Sequence, residues 1–178
     1  YGGAIKLRDA ERSVLVGNSV DGEQGHAIEV EGDRTTIRDN DVISGLFVEG
    51  DRNLVVGNRA TGDTFSGNAI RISAGDRNVI RRNEATGSFA GRPVTLIAVA
   101  ASRTSLLYNL ATGAPPSDAE IGPPDPTGAD GIRIEAAGTW VRGNTATDNA
   151  ALGINAVDGV IDGGDNHASG NGDPRQCV

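Results

Sequence analysis

Short apolar runs alternate with polar positions at period two along this chain, and the runs come in threes. Ile5-Lys6-Leu7, Ile28-Glu29-Val30, Leu46-Phe47-Val48 and Ile70-Arg71-Ile72 each put two apolar side chains on one face and a variable residue on the other. That alternation is expected of half-buried strands. A second short run follows each of them, as in Val14-Leu15-Val16, Leu54-Val55-Val56, Val79-Ile80 and Leu106-Leu107. A third comes after that, as in Arg59-Ala60-Thr61, Glu84-Ala85-Thr86, Leu110-Ala111-Thr112 and Thr145-Ala146-Thr147. No apolar run in the chain approaches the roughly 18 residues of a membrane span.

Polar punctuation keeps the same phase. Arg12, Arg34, Arg52, Arg77 and Arg103 are each followed six residues later by an asparagine, Asn18, Asn40, Asn58, Asn83 and Asn109, at uneven intervals of 22, 18, 25 and 26 residues. Two further repeats run through Ile132, Trp140 and Asn144, and through Ile154, Ile161 and Asn166. Three short strands per repeat, about seven times over, predict one all-β domain spanning 1–178, a parallel β-helix of about seven three-strand coils. The recurrent Asn is expected at the corner after the second strand, its amide turned inward to donate and accept along a stacked ladder. Gly17, Gly57 and Gly143 directly precede their Asn and are expected to be corner residues with positive φ rather than phosphate cradles.

Because the Arg-to-Asn distance is constant, the variation in length falls after the Asn, in the connection into the next first strand. The tightest such turn is Asp41 to Gly45. The largest, 113–130, holds five of the seven prolines together with Asp118, Glu120, Asp125 and Asp130. Coil sequence resumes at Asp130-Gly131-Ile132, so this segment is expected to be a surface flap beside the first sheet, not a domain linker.

Composition sharpens the picture. Only 3% of the residues are aromatic against 37% hydrophobic, so the core is expected to be a narrow aliphatic tube rather than a set of packed rings. With no methionine in the sequence, Tyr1 is expected to open a processed or excised segment. The net charge is −8, and only one of the 16 bases is a lysine, Lys6. Such acidity argues against nucleic acid as a partner. The single Cys177 permits no internal disulfide, and no metalloprotease motif, paired cysteines or glycosylation sequon is present.

On these repeats, typified by Val55-Val56-Gly57-Asn58-Arg59-Ala60-Thr61-Gly62, and on the closing run from Asp162-Gly163-Gly164-Asp165-Asn166 to Pro174, the chain resembles the right-handed parallel β-helix repeat proteins of the pectate-lyase-like superfamily, especially secreted bacterial members. The resemblance implies export to the cell surface or beyond. It also implies that a glycan would lie across the outer face of the first sheet. Activity stays open, because the superfamily holds lyases, hydrolases, epimerases, tailspikes and adhesins.

By alternation, the outward positions of that face are Lys6, Glu29, Phe47, Arg71, Thr95, Arg133 and Asn155, with a second column of Arg8, Glu31, Glu49, Ser73 and Glu135. Elimination on a uronic-acid polymer needs a cation to neutralise the carboxylate and a base to take the proton. Arg71 would serve as neutraliser or base, with Lys6 or His26 in the other part. Glu29, Glu31 and Glu49 would hold Ca²⁺, and Phe47, Arg133 and Glu135 would contact substrate. Hydrolysis would instead use two carboxylates, for which Glu29 and Glu49 are the nearest pair. These enzyme roles are the alternative; the leading expectation is an extracellular structural or adhesive scaffold, polysaccharide-contacting or self-assembling through its open ends, whose charges in adjacent coils simply pair at the surface. Trp140 is expected to pack and His167 to sit in a surface turn. Four residues before Ile5 are too few to cap a coil, so either the chain is part of a longer one or its open ends self-associate.

Overall fold

A computed structural model describes residues 4–22, 25–62, 67–87, 94–114 and 129–177. Within them the chain is a right-handed parallel β-helix: three parallel sheets of seven strands each, and no helix. Most of the Pro-rich flap, 115–128, lies outside the described residues.

The first sheet runs from Ile5–Glu11 through Ile28–Asp33, Leu46–Glu49, Asn68–Ala74, Thr95–Val99 and Ile132–Ile134 to Ile154–Ala156. The second stacks Val14–Val16, Thr36–Arg38, Leu54–Val56, Val79–Arg81, Ser105–Leu107, Trp140–Arg142 and Ile161–Asp162. The third runs from Ser19–Asp21 and Asp41–Ile43 through Arg59–Gly62, Glu84–Gly87, Leu110–Thr112 and Thr145–Thr147 to His167–Ser169. His167 therefore begins a strand, paired with Thr145, where a turn is expected from sequence.

Alternation sorts the side chains, and register stacks like on like. Ile28, Leu46, Ile70, Ile97 and Ile132 form one continuous inward column of the first sheet, each fully buried. Ile37, Val55, Ile80 and Leu106 do the same in the second. In the third the column shrinks to Ala60, Ala85, Ala111 and Ala146. Small residues on one wall leave room for the large aliphatics of the others, so no ring is needed inside. Each fully buried Ile or Leu contributes about 2 kcal/mol of apolar transfer.

The corners are built on left-handed backbone. All five repeated arginines have positive φ, between 46° and 56°, and Gly138 and Gly159 take over that role in the last two coils. Left-handed φ costs an ordinary residue free energy that glycine escapes. The residue before each ladder Asn is also left-handed: Gly17, Gly57 and Gly143 as expected, but Asp39, Arg82, Tyr108 and Asp165 in the other coils. The tightest connection is shorter than Asp41 to Gly45. Asp41–Ile43 is itself a strand, and Ser44 and Gly45 alone make the turn, both at positive φ.

Between the second and third sheets the predicted amide ladder runs through all seven coils: Asn18, Asn40, Asn58, Asn83, Asn109, Asn144 and Asn166. Each Oδ1 accepts from both the backbone N–H and the Nδ2 of the preceding Asn, as Asn83 Oδ1 does from Asn58 at 2.9 and 3.0 Å. Each Nδ2 from Asn40 onward also donates to a strand carbonyl of the preceding coil, as Asn83 does to Val55 at 3.0 Å. The buried backbone groups of that corner thus find partners within the protein.

Candidate functional site: the outer face of the first sheet

Strand register places Lys6, Glu29, Phe47, Arg71, Ala98, Arg133 and Asn155 in one outward row. Six of these are the residues expected from alternation, and the seventh is a correction. Thr95 lies three residues upstream, paired with Asn68 and buried. The run Thr95–Val99 is buried at every position, so period two vanishes there. Register is set from the corner instead: Ala98 stands five residues before Arg103, as Glu29 and Phe47 stand five before Arg34 and Arg52.

Ala98 divides the row into two groups. Toward the first coils, Lys6 Nζ meets Glu29 Oε2 at 2.6 Å and Glu31 Oε1 at 3.4 Å. The hydrogen bond from Lys6, against a smaller opposing effect of burial, holds the Glu29 carboxyl below its usual range. His26, in the connection leading into its first-sheet strand, lies over Phe47 of the next coil, with ring centroids 5.0 Å apart and planes 22° from parallel. One coil further on, Arg71 is exposed, donates to Asn68 Oδ1 only at 3.5 Å, and has no ion-pair partner among the described residues.

Beyond Ala98 the arrangement changes. Asp130 is 2% exposed and fully engaged: Oδ2 accepts from Arg133 Nε and Nη2 at 2.9 and 2.8 Å and from Asn155 at 3.0 Å, while Oδ1 accepts from Leu152 N–H at 3.1 Å. Arg133, Asn155, Asp173 and Arg175 help line an open pocket of about 370 Å³. Arg175, bonded through its guanidinium and its N–H, pushes the Asp173 carboxyl down to about 2.

The expected site residues are therefore only partly brought together. Lys6, Glu29 and Glu31 cluster, His26 joins Phe47, and Arg71 stands beside them. Arg133 lies two coils away from Arg71, locked onto Asp130, and Glu135 is exposed near it on the second column. Glu31 and Glu49 face each other in register and, with Asp9, Glu11 and Asp33, edge a concavity of about 440 Å³. Among the described residues no three His, Cys, Asp or Glu side chains converge as a metal site. Ser73 is the bulged residue of its strand and reaches Glu49 at 3.5 Å.

Asp130 and the His26–Phe47 stack were not expected. Asp130 has a weak sequence signal, since it precedes Arg133 by the same three residues that separate Asn68 from Arg71. The stack has none, because it joins a non-periodic connection to a strand of the next coil. Comparison of the chain with protein-family models, with curated proteins and with solved structures found no match.

Proposed function

We propose that this chain is a secreted or cell-surface β-helix scaffold of the pectate-lyase-like superfamily, structural or adhesive in role, that holds a saccharide against the outer face of its first sheet. The observation that carries this reading is the Phe47 ring, backed by His26 and followed one coil later by Arg71, a cation without an ion-pair partner among the described residues. A sugar ring stacks on an aromatic face of this kind, and a guanidinium recognises a carboxylate or sulfate beside it. A catalytic role has less support. Lys6 is engaged as an ammonium donor to two glutamates, and Glu29 is held in its carboxylate form.

The test is calorimetric titration with oligomers of pectate, alginate and neutral glucan. Phe47→Ala is expected to weaken binding by roughly tenfold, about 1.4 kcal/mol, and Arg71→Ala to remove the preference for acidic oligomers, both at an unchanged melting temperature. Absence of binding to every oligomer would sink the proposal. Unsaturated-product absorbance on pectate or alginate, abolished by Lys6→Ala or Arg71→Ala, would replace it with a lyase.

A further inference from the structure

The second sheet presents an outer face that the first-sheet site does not use. One of its outward rows reads Val16, Arg38, Val56, Arg81, Leu107, Arg142. Arginine and aliphatic side chains alternate coil by coil, with the cations on the second, fourth and sixth. The neighbouring row carries no charge at all, and its members Val14, Trp140 and Ile161 are 63%, 39% and 54% exposed. In a chain of net charge −8, the outward positions of this sheet hold three arginines and, through the sixth coil, no carboxylate. Arg38 and Arg142 lean on corner aspartates, Asp39 at 2.7 Å and Asp165 at 3.1 Å. Arg81 is exposed and has no ion-pair partner among the described residues. Exposed pairs of this sort are weak and exchange readily for a better anion.

Spacing selects the occupant. Coils stack at roughly 4.8 Å, so the arginines repeat at about 9.6 Å along the sheet. Phosphates of one duplex DNA strand advance about 3.4 Å, and alternate side chains of an extended peptide about 6.7 Å. Neither matches. A linear polysaccharide bearing its anion on every second sugar repeats its charge once per disaccharide, on the scale of two coils. The uncharged sugar would then fall on Val56 or Leu107, where an aliphatic surface suits its apolar face.

We propose that the outer face of the second sheet binds an anionic polysaccharide laid parallel to the solenoid axis, with its charge on alternate sugars and one anion each on Arg38, Arg81 and Arg142. This face is independent of the first-sheet site, and variants of each face separate the two proposals.

The experiment measures binding of the full chain to hyaluronan oligomers, with a carboxylate on every second sugar, to polygalacturonate, with one on every sugar, and to poly-glutamate, at physiological salt. Hyaluronan is expected to bind most tightly. In a Phe47→Ala/Arg71→Ala background, which silences the first-sheet site, Arg81→Ala should weaken it roughly fivefold, Arg38→Ala/Arg81→Ala/Arg142→Ala should abolish it, and Arg59→Ala on the third sheet should leave it unchanged. Arg38 and Arg81 are exposed and Arg142 half-buried with its guanidinium on the surface, so melting temperatures should stay close to the parent, and Arg81→Lys should restore part of the affinity. The proposal is overturned by no hyaluronan binding, by equal or tighter binding of poly-glutamate or polygalacturonate, or by full affinity in the triple variant.

Discussion

Two corners of this solenoid meet the same requirement with different chemistry. At each, a backbone N–H must find an acceptor in an adjacent coil. Between the second and third sheets the acceptor is an amide oxygen, and the ladder runs unbroken through seven coils with its five central rungs from Asn40 to Asn144 buried. Between the first and second sheets a short amide run, in which Asn53 and Asn78 Oδ1 accept from Thr35 and Asn53 N–H at 2.8 Å each, lies buried beneath an outer row whose acceptor is a carboxylate. Asp33 Oδ1 accepts from Asp51 N–H at 2.8 Å, and Asp51 Oδ1 from Asp76 N–H at 2.9 Å.

An amide both gives and takes, so its ladder satisfies itself at zero net charge and can be buried at any length. A carboxylate only accepts, and stacked carboxylates repel. That ladder stops at three and stays near the surface beside arginines such as Arg103, which clamps Asp76 at 2.6 and 2.8 Å. Glycine shapes this second corner together with the two amides, Asn53 and Asn78 donating to the carbonyls of Gly32 and Gly50. Gly32, Gly50 and Gly75 stack so closely that a Cβ on Gly50 or Gly75 would run into the carbonyl oxygen of the glycine one coil back.

If the contrast is right, exchanging the chemistry of one ladder should be ruinous and of the other nearly silent. Asn83→Asp puts a buried carboxylate opposite Val55 O and Asn109 Oδ1, now without donors to offer either. A loss of about 4 kcal/mol, or failure to fold, is expected in urea unfolding. Gly50→Ala should cost about 3 kcal/mol through the clash with Gly32, at a backbone φ of 123° that already disfavours a side chain. Glu29→Gln should cost less than about 1 kcal/mol at neutral pH, because the pair with Lys6 is only partly shielded. The sign of its pH dependence follows from the lowered carboxyl. The folded state gains from the ionised form at and above the usual carboxylate range. That gain is lost as pH falls through the depressed value, so parent and variant should converge in acid unfolding curves. Asp51→Asn, which keeps the acceptor for Asp76 and removes a repulsion, should change stability by no more than about 0.5 kcal/mol. A large loss there would refute the view that the glycines and amides, not the carboxylates, hold that corner.

The same contrast explains what could be read from residues alone. The Asn ladder, the inward columns and the positive φ of Gly17, Gly57 and Gly143 were legible because each rests on a local pattern repeated at fixed phase. The glycine stack was equally open to view in Gly32-Asp33-Arg34, Gly50-Asp51-Arg52 and Gly75-Asp76-Arg77, where the conspicuous charges draw attention from the glycine before them. Thr95 was misplaced where alternation fails. Trp140 was expected to pack from its place in a second strand, yet it stands four residues before Asn144, the same place that leaves Val14 exposed before Asn18. The Phe47–His26 stack and the Asp130 cluster depend on how irregular connections fall against the coils, which no periodicity encodes.

Trp140 is the only tryptophan in the chain, and its indole lies on the solvent side, over Gly163 and in the same strand as Arg142. The molecule therefore carries a single indole fluorophore, which can be excited apart from its two tyrosines and is placed outside its core on the face with alternating arginines. Its emission should be that of a water-facing indole while the protein is still folded. It should shift toward the blue only when something settles on that face, so occupancy there can be followed by intrinsic light without attaching any label.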